Sequence, residues 1–301
     1  MQSPGLRAPV LAIIFNRPEK VSMLMGALAH AAPSKLYIAA DGPRAGIAEE
    51  AERCAAARAA AQAITWQCEV RTLFSDTNLG VDQAVERAIS WFFGHEDAGI
   101  VLEDDCLPNV DFFRFSEEML ERYVRDERIM MVSGDNFQDG QRHGNGSYYF
   151  SRYASTWGWA TWKRAWDRYD TTLATLPSFE RDGTIDMMFP DYRERSYWLR
   201  YFRSLRSGRR TAWDAKWMYA LWSHGGLAIV PNKNLVTNIG FGADATHTKS
   251  ERNARISVEP LEWPLAHPRS IQPADEADRY LFRRNYFVPF HRRVLAKLGI
   301  I

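Results

Sequence analysis

Gly99-Ile100-Val101-Leu102-Glu103-Asp104-Asp105-Cys106-Leu107-Pro108-Asn109 is the stretch on which the reading of this chain turns. Ile100, Val101 and Leu102 form a short apolar run with β-branched members, which suits a buried strand better than a helix. The run ends in three adjacent acids, and Pro108 and Asn109 then break the chain and prepare a helix start. Three neighbouring carboxylates repel one another. A hard divalent cation, Mg²⁺ or Mn²⁺, would hold them together, because such ions take oxygen ligands from a few carboxylates and from substrate phosphates. A solvated acidic turn is the other reading. The surrounding pattern decides between them, since open α/β sheets bind ligands at the carboxyl ends of their strands.

Upstream, apolar runs alternate with helical periodicities. Val10–Phe15 reads as a strand, followed by Asn16-Arg17-Pro18, with Pro18 in the favoured first helical position. Val21, Leu24, Met25 and Leu28 repeat at helical spacing. Leu36–Ala40 is a second strand, stopped at Asp41-Gly42-Pro43, and the alanine-rich 48–64 segment is a helix. Cys68–Phe74 alternates as a third strand, the loop Asp76–Gly80 follows, and Val81, Val85, Ile89 and Phe92 stripe the next helix. After the acidic strand come a helix through Phe112, Met119 and Tyr123 and a fifth strand, Ile129–Val132. This order predicts βαβ units and an α/β fold built on a mostly parallel central sheet with helices on both faces.

Right-handed crossovers place the strand ends along one edge of that sheet. The ends carry Asn16 and Arg17, then Asp41, then Asn78 and Gly80, then the acids. Arg17 suits a phosphate. Asp41 suits a base or ribose hydroxyl, and Asn78 and Gly80 permit close backbone approach. Each is also an ordinary turn residue taken singly; together, at four successive strand ends, they point to a nucleotide site.

These motifs resemble the GT-A glycosyltransferases, in particular the bacterial family-2-like enzymes and the N-acetylglucosaminyltransferase I group. The likeness rests on Asn16-Arg17-Pro18, Asn78-Leu79-Gly80 and Glu103-Asp104-Asp105, and it spans roughly residues 8–250. It implies an inverting, metal-dependent transferase of Rossmann-like GT-A fold. On that footing Asp105 binds the metal, Asp104 contacts ribose or metal, and Glu103 supports the nucleotide or acceptor side. It also implies a catalytic domain over 1–260, with a nucleotide-sugar half (8–136) and an acceptor half (137–250), and a basic-aromatic tail over 261–301.

In the second half, Asp135 and Asn136 close the fifth strand at the same edge and are candidate acceptor residues. The polar, Gly-rich 138–147 segment reads as a mobile loop, and 148–153 as a strand. Four Trp follow within ten residues: Trp157, Trp159, Trp162 and Trp166. Trp157 and Trp159 are candidates for stacking on an acceptor sugar, whereas Trp162 and Trp166 are expected in the core. Trp213-Asp214-Ala215-Lys216-Trp217 opens another helix. Asp214 is either a carboxylate favoured by the helix N-terminus or a general base whose flanking Trp would desolvate it; in the GT-A relatives an acid at a comparable place deprotonates the acceptor. Asn238–Thr248, with its glycines, reads as a lid over phosphates. His247 in it is either a metal or diphosphate ligand, as in many relatives, or a surface histidine.

The 301 residues carry a net charge of only +1, which gives no case for nucleic acid as partner. Cys54, Cys68 and Cys106 show no paired spacing and read as cytosolic thiols. The N-terminus lacks the pattern of a signal peptide, and the longest apolar run, Ala8–Phe15, falls far short of the ~20 residues of a membrane span. From Arg279 onward there are six cations and no acid, interleaved with aromatics and interrupted by Pro289. That composition suits either peripheral contact with an anionic membrane or a docked C-terminal helix. The expected partners are thus a nucleotide-sugar donor, UDP-sugar favoured, and a glycan or lipid-linked acceptor. A non-catalytic carbohydrate-binding protein of the same fold is the competing class. A glycosidase needs no triple acid at a strand end, and a nucleotidyltransferase should carry a Gly-rich loop where Asn16-Arg17-Pro18 stands.

Overall fold

The computed structural model describes residues 5–240 and 256–287. His247 and most of the expected lid lie outside them, as do residues 288–301 of the tail. The first half follows the expected alternation: β1 (Val10–Ile14), α1 (Pro18–Ala31), β2 (Lys35–Ala40), α2 (Ala48–Gln62), β3 (Glu69–Phe74), α3 (Val81–Phe93) and β4 (Ala98–Glu103). Next come β5 (Cys106–Pro108), α4 (Val110–Arg122), β6 (Ile129–Ser133), β7 (Tyr148–Ser151) and β8 (Trp159–Trp162), with the short helices α5 (Lys163–Trp166), α6 (Leu176–Arg181) and α7 (Thr184–Met188). Then follow α8 (Tyr192–Arg206), α9 (Trp213–Ser223), β9 (Leu227–Pro231), β10 (Val236–Asn238) and α10 (Asp275–Asn285).

Eight strands form one sheet in the order β3-β2-β1-β4-β8-β6-β9-β7. Only β8 and β7 run against the others, so the sheet is mostly parallel and the fold is Rossmann-like α/β. Strand β1 is buried along its whole length, as a central parallel strand covered on both faces must be. Its side chains alternate between two cores. Leu11 and Ile13 join the one under α3, α8 and α9. Val10, Ala12 and Ile14 join the one under α1, α2 and α4.

The two halves read from the sequence share this sheet, and both cores draw on both of them. The described part of the 261–301 segment is likewise built into the domain. Trp263 Nε1 and the Leu261 amide donate to the Asp111 carboxylate, and Asp278 of α10 accepts from Ser151 Oγ at 2.6 Å. Leu281 and Phe282 are buried, and Arg284 pairs with Asp139.

One local expectation is corrected, and one segment left open takes its form from the sheet. The 138–147 loop is pinned. Gln138 is buried and donates to Ala277 O, and Asn232 Nδ2 donates to the carbonyls of His143 and Gly146. The Trp-rich segment is an edge-to-edge insertion of β8 between β4 and β6, and only then a short helix.

Besides β8, the small strands β5 and β10 escaped the sequence pattern. They pair antiparallel, with Asn238 opposite Cys106. Three residues each are too few to show a period, yet this pair fastens the acidic tip to a segment 130 positions later.

Candidate active site

Glu103 ends β4, and Asp104 and Asp105 turn outward from it. Asp104 is buried at 6% exposure; its Oδ2 accepts from the Phe15 amide at the end of β1 and its Oδ1 from Arg17 Nη1. The same Arg17 nitrogen lies 3.2 Å from Asp105 Oδ2. Arg17 therefore bridges the two aspartates, where the sequence pointed it at phosphate. Desolvation pushes the Asp104 carboxyl up to about 6, against the pull of the Arg17 charge.

Asp105 is the more accessible aspartate. Asn238 Nδ2 lies 3.4 Å from its Oδ1, and the Ile239 amide donates to its carbonyl at 2.7 Å. A Cβ on Gly240 would fall 2.2 Å from Asp105 Oδ2, so glycine is required for the 238–240 backbone to lie against this carboxylate.

Glu103 is pushed up to about 8, first by desolvation and then by the charges of Asp105, Asp104 and Asp214. Trp159, which pairs with Val101 of β4, stacks on Trp213 at the start of α9, and this brings the first turn of α9 towards the carboxyl end of β4. Asp214 stands in the first turn of α9, and two features fix that turn. Asp82 Oδ1, in the first turn of α3, accepts from the Trp213 amide, and Lys216 Nζ lies 2.8 Å from Glu86 Oε1. The N-cap of α9 is Ala212, with no side-chain cap bond, so Asp214 is not its cap.

The expected desolvation by flanking Trp is corrected as well. Trp213 and Trp217, one turn apart, both face the core at 5% and 0% exposure, whereas Asp214, about 100° round the helix, is exposed.

Asp41 takes a different part from that expected. Its Oδ1 accepts from the Gly42 and Leu79 amides and its Oδ2 from the Gly80 amide and Asn78 Nδ2. Its lone pairs are committed to the loop, and it organises that loop instead of reading a base or ribose. Gly80, at φ +80°, turns the chain into α3. Asn16 is held by Glu50, which also grips Arg44. Glu50 carries no sequence signal beyond its place in the first turns of an alanine-rich helix.

On the acceptor side, Asp135 is 1% exposed. Its Oδ2 accepts from the Trp157 amide at 3.3 Å, and its Oδ1 has no hydrogen-bond partner among the described residues. Burial raises this carboxyl well above the usual range. Trp157 is half-buried and sits edge-on to Phe137. Asn136 is corrected: it is buried and fully engaged, with its amide N–H on Asn234, its Nδ2 on Pro231 O and its Oδ1 on the Gln138 amide. Trp159 is corrected too. It is fully buried, packed on Trp166, Trp213 and Trp217, because alternation along β8 turns it into the core and leaves Trp157 nearer the strand ends.

No group of three or more His, Cys, Asp or Glu among the described residues could hold a metal by itself. Of the two aspartates, Asp104 is buried and held by the Phe15 amide and Arg17, which leaves Asp105 as the carboxylate better placed to take a cation. A site with so few protein ligands would fit a Mg²⁺ or Mn²⁺ ion only if phosphate oxygens and water completed its shell.

The raised carboxyl of Glu103 has a measurable consequence. An acid moved from 4.5 to about 8 binds its proton more tightly folded than unfolded. Its contribution to stability therefore falls as pH rises through that window. Glu103→Gln should gain thermal stability on the wild type as pH rises across it, in chelator, with little difference below. Parallel melting curves for the two proteins at all pH values would refute the placement of Glu103.

No protein-family model matches the chain, and no curated protein matches it. Among solved structures, UDP-glucose pyrophosphorylase complexed with UDP-glucose is similar at 7% identity and a TM-score of 0.26. The match covers 49% of this chain and 63% of that one. The chain thus spans less than two thirds of that enzyme's length. Fold and edge together define a Rossmann-like α/β chain with an acidic cluster at the carboxyl ends of its central strands.

Proposed function

We propose that the chain is an inverting glycosyltransferase that takes a sugar from a nucleoside-diphosphate sugar, UDP-sugar favoured, to a hydroxyl of a glycan or lipid-linked acceptor. The observation that carries this reading is the convergence of Asp214 with Glu103-Asp104-Asp105. Asp214 on α9 and Glu103 on β4, far apart in sequence, are brought to the same strand ends by the stacking of Trp213 on Trp159, the partner of Val101, and the Asp214 charge bears on Glu103. A structural role gives no reason to gather like charges there, whereas a reaction at a polarised centre does.

In this reading the donor lies along the edge formed by Asn16, the Asp41-held loop at Asn78 and Gly80, and Asp105. The Asp214 carboxylate takes the proton of the acceptor hydroxyl. The acceptor oxygen bonds to the anomeric carbon as the bond to the diphosphate oxygen breaks on the opposite side, which inverts the centre. Asp105 would hold a divalent cation, whose chemistry is to neutralise the diphosphate. Arg17 adds positive charge at the same place, the electrostatic contribution that commonly dominates such a reaction. His247 is a further candidate ligand. Trp157 and Asp135 line the acceptor side, Trp157 as a stacking face and Asp135 as a neutral carboxyl able to donate a hydrogen bond.

A panel of nucleotide-sugars with Mn²⁺ tests this by thermal shift, followed by assay of sugar release. One UDP-sugar is expected to raise the melting temperature and to be turned over. Stabilisation without any turnover, with glycan acceptors present, would favour the non-catalytic carbohydrate-binding reading. No shift with any nucleotide-sugar would remove both.

A further inference from the structure

Helix α8 spreads its residues unevenly around its axis. Trp198, Phe202 and Leu205 are buried, and so is its one acid, Glu194. The solvent side carries Arg193, Arg200, Arg203 and Arg206, and the turn beyond adds Arg209 and Arg210. Of these six, Arg203 is paired, with Glu180. Among the described residues Arg193, Arg200, Arg206, Arg209 and Arg210 form no salt bridge, although Arg193 lies near the charge of Asp191; Arg193 and Arg210 lie over the rings of Tyr192 and Tyr201. For a chain whose net charge is +1, this is a strong local excess of one sign.

At the amino end of the same face two apolar side chains stand out. Met187, on α7, is 78% exposed and Tyr192 is 62% exposed. The ion pair of Arg195 with Asp186 ties α7 to the first turns of α8, where Tyr192 and Arg193 stand. Exposed methionine and tyrosine next to unneutralised guanidinium groups match the boundary of an anionic bilayer. The cations meet lipid phosphate there, and the tyrosine ring sits at headgroup level. A purely acidic protein surface would match the charge and leave Met187 and Tyr192 unaccounted for.

We propose that the arginine face of α8, with Met187 and Tyr192 at its end, docks this protein on an anionic lipid surface. The contact is peripheral, because the apolar side of α8 is already spent on the core, and no described helix is long and apolar enough to cross a membrane. It stands independently of the transferase reading. It also differs in place from the 279–301 tail that the sequence alone suggested.

Sedimentation of the full chain with vesicles of phosphatidylcholine, or of phosphatidylcholine with phosphatidylglycerol, decides the matter. Binding is expected only to the anionic vesicles and should weaken strongly at high salt, where charges are screened. R193E/R200E/R206E should lower partitioning by about 10²-fold or more, three cations being removed, with an unchanged thermal melt. M187A/Y192A should lower it less and leave residual salt sensitivity. A chain ending at Phe287 should bind as the full chain does. Equal binding of wild type and triple variant, or loss on removing 288–301 alone, would overturn the proposal. So would wild-type binding to an acidic peptide and to neither vesicle.

Discussion

Asp214→Asn is expected to lower turnover by about 10²–10⁴ while leaving nucleotide-sugar affinity nearly unchanged, the usual worth of a general base. The substitution keeps the shape of the side chain and removes only its ability to take a proton. The contacts described for the first turn of α9 do not depend on that proton. The first turn of α9 is held by Asp82 on the Trp213 amide and by Lys216 on Glu86, and the packing by Trp213 and Trp217; none of these contacts passes through the Asp214 carboxylate. The competing account is a carboxylate placed to favour the helix dipole, worth ~0.3–1 kcal/mol. Steady-state kinetics and a thermal melt on the same variant separate the two. Retained turnover with a lowered melting temperature would return Asp214 to a structural role.

What the sequence made legible follows from what each pattern encodes. Strands β1, β2, β4 and β6 were readable because both faces of a parallel sheet are buried, whereas the exposed edge strand β3 showed only as an alternation. Runs such as Val10–Ile14 are therefore uninterrupted, and helix stripes such as Val85, Ile89 and Phe92 are clean. The insertion of β8 was not readable. Trp159, Trp162 and Trp166 fit a helical spacing as well as a strand followed by a turn of helix, and only pairing with β4 and β6 decides it. Helix α8 had no apolar run long enough to announce it among its arginines.

The site was legible as a set of strand ends and much less so in the duties of single residues. Asp104, Asp105 and Arg17 do meet, but as an ion-paired cluster. Asp41 and Asn136, polar residues at strand ends, prove to hold backbone, since loops at such an edge need their own amides satisfied. The approach of Asn238 and Gly240 to Asp105 depends on the short β5–β10 pair, a long-range contact that leaves no local trace.

Asp105 is where the central claim is most exposed. It is the less buried aspartate of the acidic tip, and a hard cation with few protein ligands cannot spare it. Calorimetric titration of UDP with and without Mn²⁺, into wild type and Asp105→Ala, measures this directly. The expected result is Mn²⁺-dependent binding of UDP to the wild type and loss of that dependence in the variant, with melting temperatures within a few degrees. UDP binding that is the same in both proteins, or absent from the wild type with Mn²⁺ present, would contradict a nucleotide site at these strand ends.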